Sequence, residues 1–198
     1  MRHIIRGCVV LAALSSANAM AEASIHLAAT AGLSFGGDTL ATVYYTNGDS
    51  EELTAGGLFY LGLGPSIEFK DSPLSIQMLI GRHMDSVNAD GGELEFSRNT
   101  LDTQVFYRAG DHRFGAGLVN HFNAEYQQTG FYAPSITGDF KNATGVSLEY
   151  NWMPVGSHFG VSVRGVKIDY ELESLNHVPV SGFEAAGDHL AVGLYAYF

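Results

Sequence analysis

The stretch Val146-Ser147-Leu148-Glu149-Tyr150-Asn151-Trp152-Met153 decides the fold class. In an extended chain, Val146, Leu148, Tyr150 and Trp152 lie on one face and Ser147, Glu149, Asn151 and Met153 on the other. A helix would scatter the same apolar residues around its axis. The two-residue period recurs outward from this stretch over 25–35, 57–69, 74–83, 96–109, 113–122, 159–172 and 189–198. Most of these segments have the ~9–11 residues of a tilted membrane strand. No segment beyond the N-terminal region holds the ~20 continuous apolar residues of a membrane helix. A bilayer crossing therefore requires a closed all-β, antiparallel barrel, since only closure pairs every backbone group within hydrocarbon.

The polar face tells which side meets lipid. A barrel in water turns long charged side chains outward, whereas here the polar face is largely Gly, Ser, Gln, Asn and Thr. These are residues of a narrow lumen, in which small side chains stand opposite large ones. A tight turn at Gly110-Asp111 sets Phe106 opposite Gly115 and Gln104 opposite Gly117, and on the lipid side Tyr107 opposite Phe114. Tyr107, Phe114, Trp152, Phe159 and Phe198 then gather at one rim as an aromatic girdle.

The connections alternate in length. Tight turns fall at Asp71-Ser72-Pro73, Gly110-Asp111 and Pro154-Val155-Gly156, and long loops are expected over 36–56, 88–95, 126–142 and 173–188. Short periplasmic turns and long external loops fit an outer-membrane barrel of eight strands. Asn47-Gly48 signals a type I′ hairpin inside the first loop, which leaves ten strands as an alternative. Phe159, Val161 and Val163 give way out of phase to Val166, Ile168, Tyr170 and Leu172, which predicts a bulge near Gly165.

Residues 1–21 read as a cleaved export signal: basic Arg2, His3 and Arg6, an apolar run from position 8 to 14, and cleavage at Ala17-Asn18-Ala19 or, preferably, Ala19-Met20-Ala21. Cys8 lies inside the apolar run, so residues 22–198 form one cysteine-free domain. Charged residues are only 16% of the chain, against roughly 25% in soluble domains. The net charge of -11 becomes more negative once Arg2 and Arg6 leave, which argues against nucleic-acid binding.

Catalytic chemistry is thin. His83 with Asp85 and Ser86, His121, and Ser157-His158 are the only hydrolase-like candidates, and each fits better as a hydrogen-bonded lumen histidine, with His158 in the lower lumen. No histidine cluster has metal-ligand spacing, so no catalytic, cofactor or metal residues are expected. Glu68, Arg98, Asp102, Arg108, Arg113, Glu149 and Arg164 fall on the lumen face, where buried charges must pair into a network; a narrow ion path is the sharper alternative. Glu51, Glu52, Asp90, Glu93, Glu95, Glu171 and Glu173 make the loops acidic, a solvated surface or a site for cations bridging to lipopolysaccharide.

In architecture, and in the closing Leu194-Tyr195-Ala196-Tyr197-Phe198, the chain resembles the small eight-stranded outer-membrane barrels of Gram-negative bacteria, such as the OmpA barrel domain and OmpX-like and OmpW-like proteins. Ala196 stands where that terminal signal has a larger apolar residue. The resemblance implies Phe198 as an assembly signal, the barrel assembly machinery, outer-membrane lipid and lipopolysaccharide as partners, and a structural or surface-interaction role without catalysis. An OmpW-like path for small apolar solutes, with Pro65 marking a break in pairing, and a lipid-modifying enzyme are the alternatives.

Overall fold

Strand pairing follows the alternation directly. The computed structural model describes residues 23–198 apart from 90 and 133; the leader expected over 1–21, with Cys8, and also Asp90 lie outside the described residues. Fourteen strands are present among the described residues: β1 (Ala23–Gly36), β2 (Thr39–Tyr44), β3 (Ser50–Thr54), β4 (Leu58–Phe69), β5 (Leu74–Ala89), β6 (Gly92–Ala109), β7 (His112–Gly130), β8 (Ile136–Phe140), β9 (Ala143–Trp152), β10 (Phe159–Lys167), β11 (Asp169–Leu175), β12 (Val178–Pro179), β13 (Glu184–Ala186) and β14 (His189–Tyr197). All pairing is antiparallel. It runs β1–β4–β5–β6–β7–β9–β10–β14 and returns to β1, so the sheet closes on itself as a ring. Beyond β14, Leu27 and Phe198 exchange backbone hydrogen bonds of 3.0 and 2.9 Å, which extends the closing seam by one pair.

The lower end carries the tight turns. Gly110 sits at φ 62° between β6 and β7, the left-handed conformation that glycine adopts without steric cost. Phe106 stands opposite Gly115, Gln104 opposite Gly117 and Tyr107 opposite Phe114, the register anticipated from that turn.

The upper end departs from the expected loops. Positions 88–95 are not a long loop: β5 and β6 continue until Ala89 pairs with Gly92. β7 continues to Gly130, its lower half pairing with β9 and its upper part with β8. β8 in turn pairs with β11, and β11 with β12 and β13. β2 and β3 form a separate hairpin that pairs only with itself, so they add no strands to the ring. Its turn is not the expected type I′. Gly48 N–H donates to the Tyr45 carbonyl and Gly48 alone takes positive φ (92°), which is the longer hairpin loop with a glycine bulge.

Nor does a bulge form near Gly165. β10 pairs without interruption with β9 through Lys167 and with β14 through Val166. Val166, Ile168 and Tyr170 stay in phase with Ser162 and Arg164 on the inner face, all buried. What changes is the interior, which is polar below and apolar above. Within the ring the register shifts between β6 and β7, where Asn123 (φ 50°) is the extra residue opposite Arg98; above it, register also shifts between β8 and β11 at Leu172–Ser174 and between β2 and β3 at Thr39–Ala41.

Two clusters fill the inside. The upper one joins Val43, Leu53 and Ala55 of the hairpin region to Val87, Leu94, Phe96, Val119, Phe140, Ile168 and Tyr170. The lower, smaller one holds Ala28, Leu79, Met153, Tyr195 and Tyr197.

Candidate functional site

The outward face of the ring is a continuous apolar belt. Ile25, Leu27, Leu33, Leu61, Leu63, Met78, Ile80, Val105, Leu118, Val146, Leu148, Val161, Leu190, Val192 and Leu194 are all exposed, Leu148 at 70%. Tyr107, Phe114, Trp152, Phe159 and Phe198 lie on the same face at the turn end and are likewise exposed. The rings of Phe159 and Phe198 meet edge to face at 6.2 Å. At the other end polar side chains bound the belt: Arg82 donates to Asn99 (3.2 Å), Thr144 donates to Asn120 (2.9 Å), and Lys167 lies 3.6 Å from Asp188.

Inside, polar groups are stacked in layers. Lowest is Arg113, 1% exposed, whose guanidinium carbon lies 4.3, 5.0 and 4.9 Å from the ring centres of Phe106, Tyr195 and Tyr197, while Nη2 donates to Ser75 at 3.3 Å. Above it Tyr195 donates to Gln77 (2.6 Å) and Gln104 to Ser147 (3.0 Å). Higher still Arg164 donates to Asp102 at 2.8 Å, both nearly fully buried, with Glu149 across the β9–β10 pair. Arg98, 0% exposed, packs 4.9 Å from the Phe96 ring and 5.7 Å from that of Tyr170.

The seven lumen charges therefore do not form one salt-bridge network. Among the described residues, the ion pairs that join them are Arg164–Asp102 and, at the lower rim and partly exposed, Arg108–Glu68 at 3.6 Å. Arg98 and Arg113 rest against aromatic rings, whose negative faces take the place of a carboxylate. Sequence periodicity shows that a residue faces inward but not which inward neighbours sit at its height on other strands.

Gly115 shows how tightly the layers meet. A Cβ there would stand 2.4 Å from the Phe106 ring. Gly115→Val is expected to lower unfolding stability by about 1–3 kcal/mol through overpacking. Urea unfolding in detergent, followed by the fluorescence of the single Trp152, measures it; an unchanged midpoint would show that Phe106 has room to move.

The hydrolase-like candidates resolve differently from their sequence grouping. His83 bonds neither Asp85 nor Ser86. Its Nδ1 lies 2.8 Å from Arg98 Nη2 and its Nε2 2.6 Å from Ser34 Oγ. Guanidinium can only donate, so Nδ1 accepts and the proton resides on Nε2, from which it is donated to Ser34. That is the reverse of a serine activated by a general base, whose histidine is backed by a carboxylate. Ser34 had no sequence signal beyond its inward position. Asp85 instead accepts from the Thr54 N–H (2.9 Å) and hydroxyl (3.2 Å), tying the hairpin down. His121 bonds the Tyr170 hydroxyl at 2.5 Å. His158, expected in the lower lumen, is exposed at the turn end, where Nδ1 donates to the Tyr197 carbonyl at 3.2 Å. Ser157 bonds the Phe159 backbone.

A gap of only ≈ 20 Å³, lined in part by His83, His121, His189, Asp102 and Arg164, lies inside this layer. Pro65 interrupts pairing without marking an opening. Gly64 and Pro65 take no ladder partner on β5, but Pro65 pairs with Leu27, and β4 and β5 keep the same register on either side, at Leu63 with Ile80 and Ser66 with Gln77. The adjoining Gly64 lies so near the Met78 carbonyl that a Cβ would be 2.0 Å from its oxygen.

The described acidic residues of the upper end are dispersed rather than gathered. Glu51 accepts from Tyr45 (2.7 Å), Glu52 from Thr39 (3.1 Å) and Glu171 from Lys141 (2.6 Å), and Glu95 lies 3.9 Å from Arg82. The hydrogen bond that Lys141 donates to Glu171 raises the pKa of its ammonium above the ordinary range. Among the described residues no three His, Cys, Asp or Glu side chains converge as metal ligands.

No family model matches the chain, and no curated protein matches it. Among solved structures it is similar to Neisserial surface protein A (NspA), at 11% identity and a TM-score of 0.45, over 89% of this chain and 99% of that one.

Proposed function

We propose that this chain is an integral outer-membrane protein of a Gram-negative bacterium, an eight-stranded barrel with a structural or surface-interaction role and no catalysis. The observation that carries the reading is the apolar belt around a closed ring whose buried charges all point inward. From Leu190 to Phe198 the belt runs roughly 26 Å along the strand and, at a ~40° tilt, about 20 Å along the axis, near the ≈25 Å apolar band of outer-membrane barrels. The lower turns then face the periplasm and the upper hairpins face outside. Packed layers of Arg98, Arg113, Phe106 and Tyr195 support a plugged lumen rather than a channel. The partners are outer-membrane lipid, lipopolysaccharide and, during biogenesis, the barrel assembly machinery.

The test is membrane fractionation followed by gel mobility before and after boiling. The protein is expected in the outer membrane, migrating differently when folded. Recovery as a soluble protein with a single mobility would sink the reading.

Phe198 carries a separate expectation. Its ring is 62% exposed at the rim, where a charge costs only ~0–1 kcal/mol. Phe198→Asp is therefore expected to refold in vesicles with nearly unchanged stability, yet to accumulate poorly in the outer membrane of cells, because the loss is one of recognition by the assembly machinery. Normal cellular yield would show that Phe198 is not an assembly signal.

A further inference from the structure

The belt is not uniform. On β10 the outward sequence Val161, Val163, Gly165, Lys167 loses its side chain at Gly165, and nothing lies within 4 Å of where a Cβ would stand. Its cross-strand partners are Leu148 on β9 and Leu190 on β14, both projecting outward, and these pair in turn with Ala116 on β7 and Phe35 on β1. The result is a groove of ≈ 760 Å³ whose floor at Gly165 lies between the Leu148 and Leu190 ridges, with Ala116 and Phe35 on the strands beyond them. Its volume falls within the ~300–1,000 Å³ of ligand sites.

Directly above the floor stands Lys167, 74% exposed at the upper edge of the belt. Asp188, whose Oδ1 accepts the Ile168 N–H at 2.9 Å, holds the ammonium at 3.6 Å. That separation is too long for a hydrogen bond, so all three ammonium donors can still meet a second anion. A lysine at a membrane edge places its charge at headgroup height.

We infer that this groove seats an acyl chain of an outer-leaflet glycolipid whose phosphate meets Lys167, an inference that rests on the membrane reading above. The smooth floor suits a polymethylene chain, and the single cation over it suits an anionic headgroup.

The probe is hexa-acylated, bis-phosphorylated lipid A, compared with its dephosphorylated form, by native mass spectrometry of the detergent-solubilised full chain. Wild type is expected to retain one lipid A. Gly165→Leu, whose Cβ meets nothing within 4 Å, fills the groove and is expected to reduce retention at least five-fold. Ala31→Leu, which adds comparable bulk to the belt outside the groove, should stay within two-fold of wild type. Lys167→Gln should weaken retention of the phosphorylated probe and leave the dephosphorylated one unchanged. Equal retention by Gly165→Leu and Ala31→Leu would reduce the lipid to an unspecific annulus and overturn the inference. So would a wild-type dimer that Gly165→Leu abolishes, since the groove would then hold a second copy. A Lys167→Gln variant that binds both probes like wild type would overturn the headgroup contact. Gel mobility before and after boiling, run on every variant, separates these outcomes from failure of the membrane reading, in which wild type itself shows no shift.

Discussion

Asp102→Ala is expected to destabilise the folded protein by about 3–5 kcal/mol, because it leaves a buried guanidinium without its carboxylate. Arg164 donates to Asp102 at 2.8 Å, and both side chains are more than nine-tenths buried. The neighbouring Glu149 places the expectation toward the lower end of that range. Removing both charges is a different matter. Asp102→Leu with Arg164→Met exchanges the pair for apolar groups of similar bulk, and a buried pair replaced in that way is often neutral or even stabilising. The double variant should therefore recover part of the loss, since Glu149 is left without the neighbouring guanidinium. Urea unfolding in lipid vesicles measures all three proteins. If Asp102→Ala unfolds at the wild-type midpoint, the lumen at that height is solvated well enough to carry a lone arginine, and the packed-plug picture fails.

Leu148→Arg is expected to cost about 2–4 kcal/mol and to abolish or sharply reduce folding into liposomes, because it sets a cation on the lipid face near the midplane. Leu148 projects outward between Ala116 and Gly165, at the middle of β9. Its sequence neighbour Ser147 points the other way and accepts from Gln104 at 3.0 Å. Ser147→Ala removes that hydrogen bond, worth roughly 1 kcal/mol, and should fold at nearly wild-type yield. Two adjacent residues thus differ in tolerance only because successive side chains of a strand face opposite solvents. Similar folding yields for the two variants would mean that the belt does not meet lipid.

Two misleading stretches of the sequence, the bulge expected near Gly165 and the loop expected over 88–95, share one physical origin. Within the belt the outward face is apolar and the inward face polar. Above the belt the outward face meets water while the inward face meets the upper cluster, so the pattern inverts although the strand keeps its phase. Val166, Ile168 and Tyr170 remain inward like Arg164, yet their apolar character mimics a slipped register and suggests a bulge. Val87, Leu94 and Phe96 point inward for the same reason, while Asn88, Glu93 and Glu95 face out and make the segment read as a polar loop. Asn123, the true extra residue, carries no apolar signal at all.

The all-β class, the placement of the lower turns, the β6–β7 register beside its turn and the inward or outward direction of each belt residue follow from the sequence alone, since a period of two is a local property of the chain. Only the tertiary structure decides which inward groups meet. Arg113 is enclosed by Phe106, Tyr195 and Tyr197, His83 donates to Ser34, and the hairpin of β2 and β3 caps the ring, because closure brings together strands far apart in sequence at heights set by their stagger.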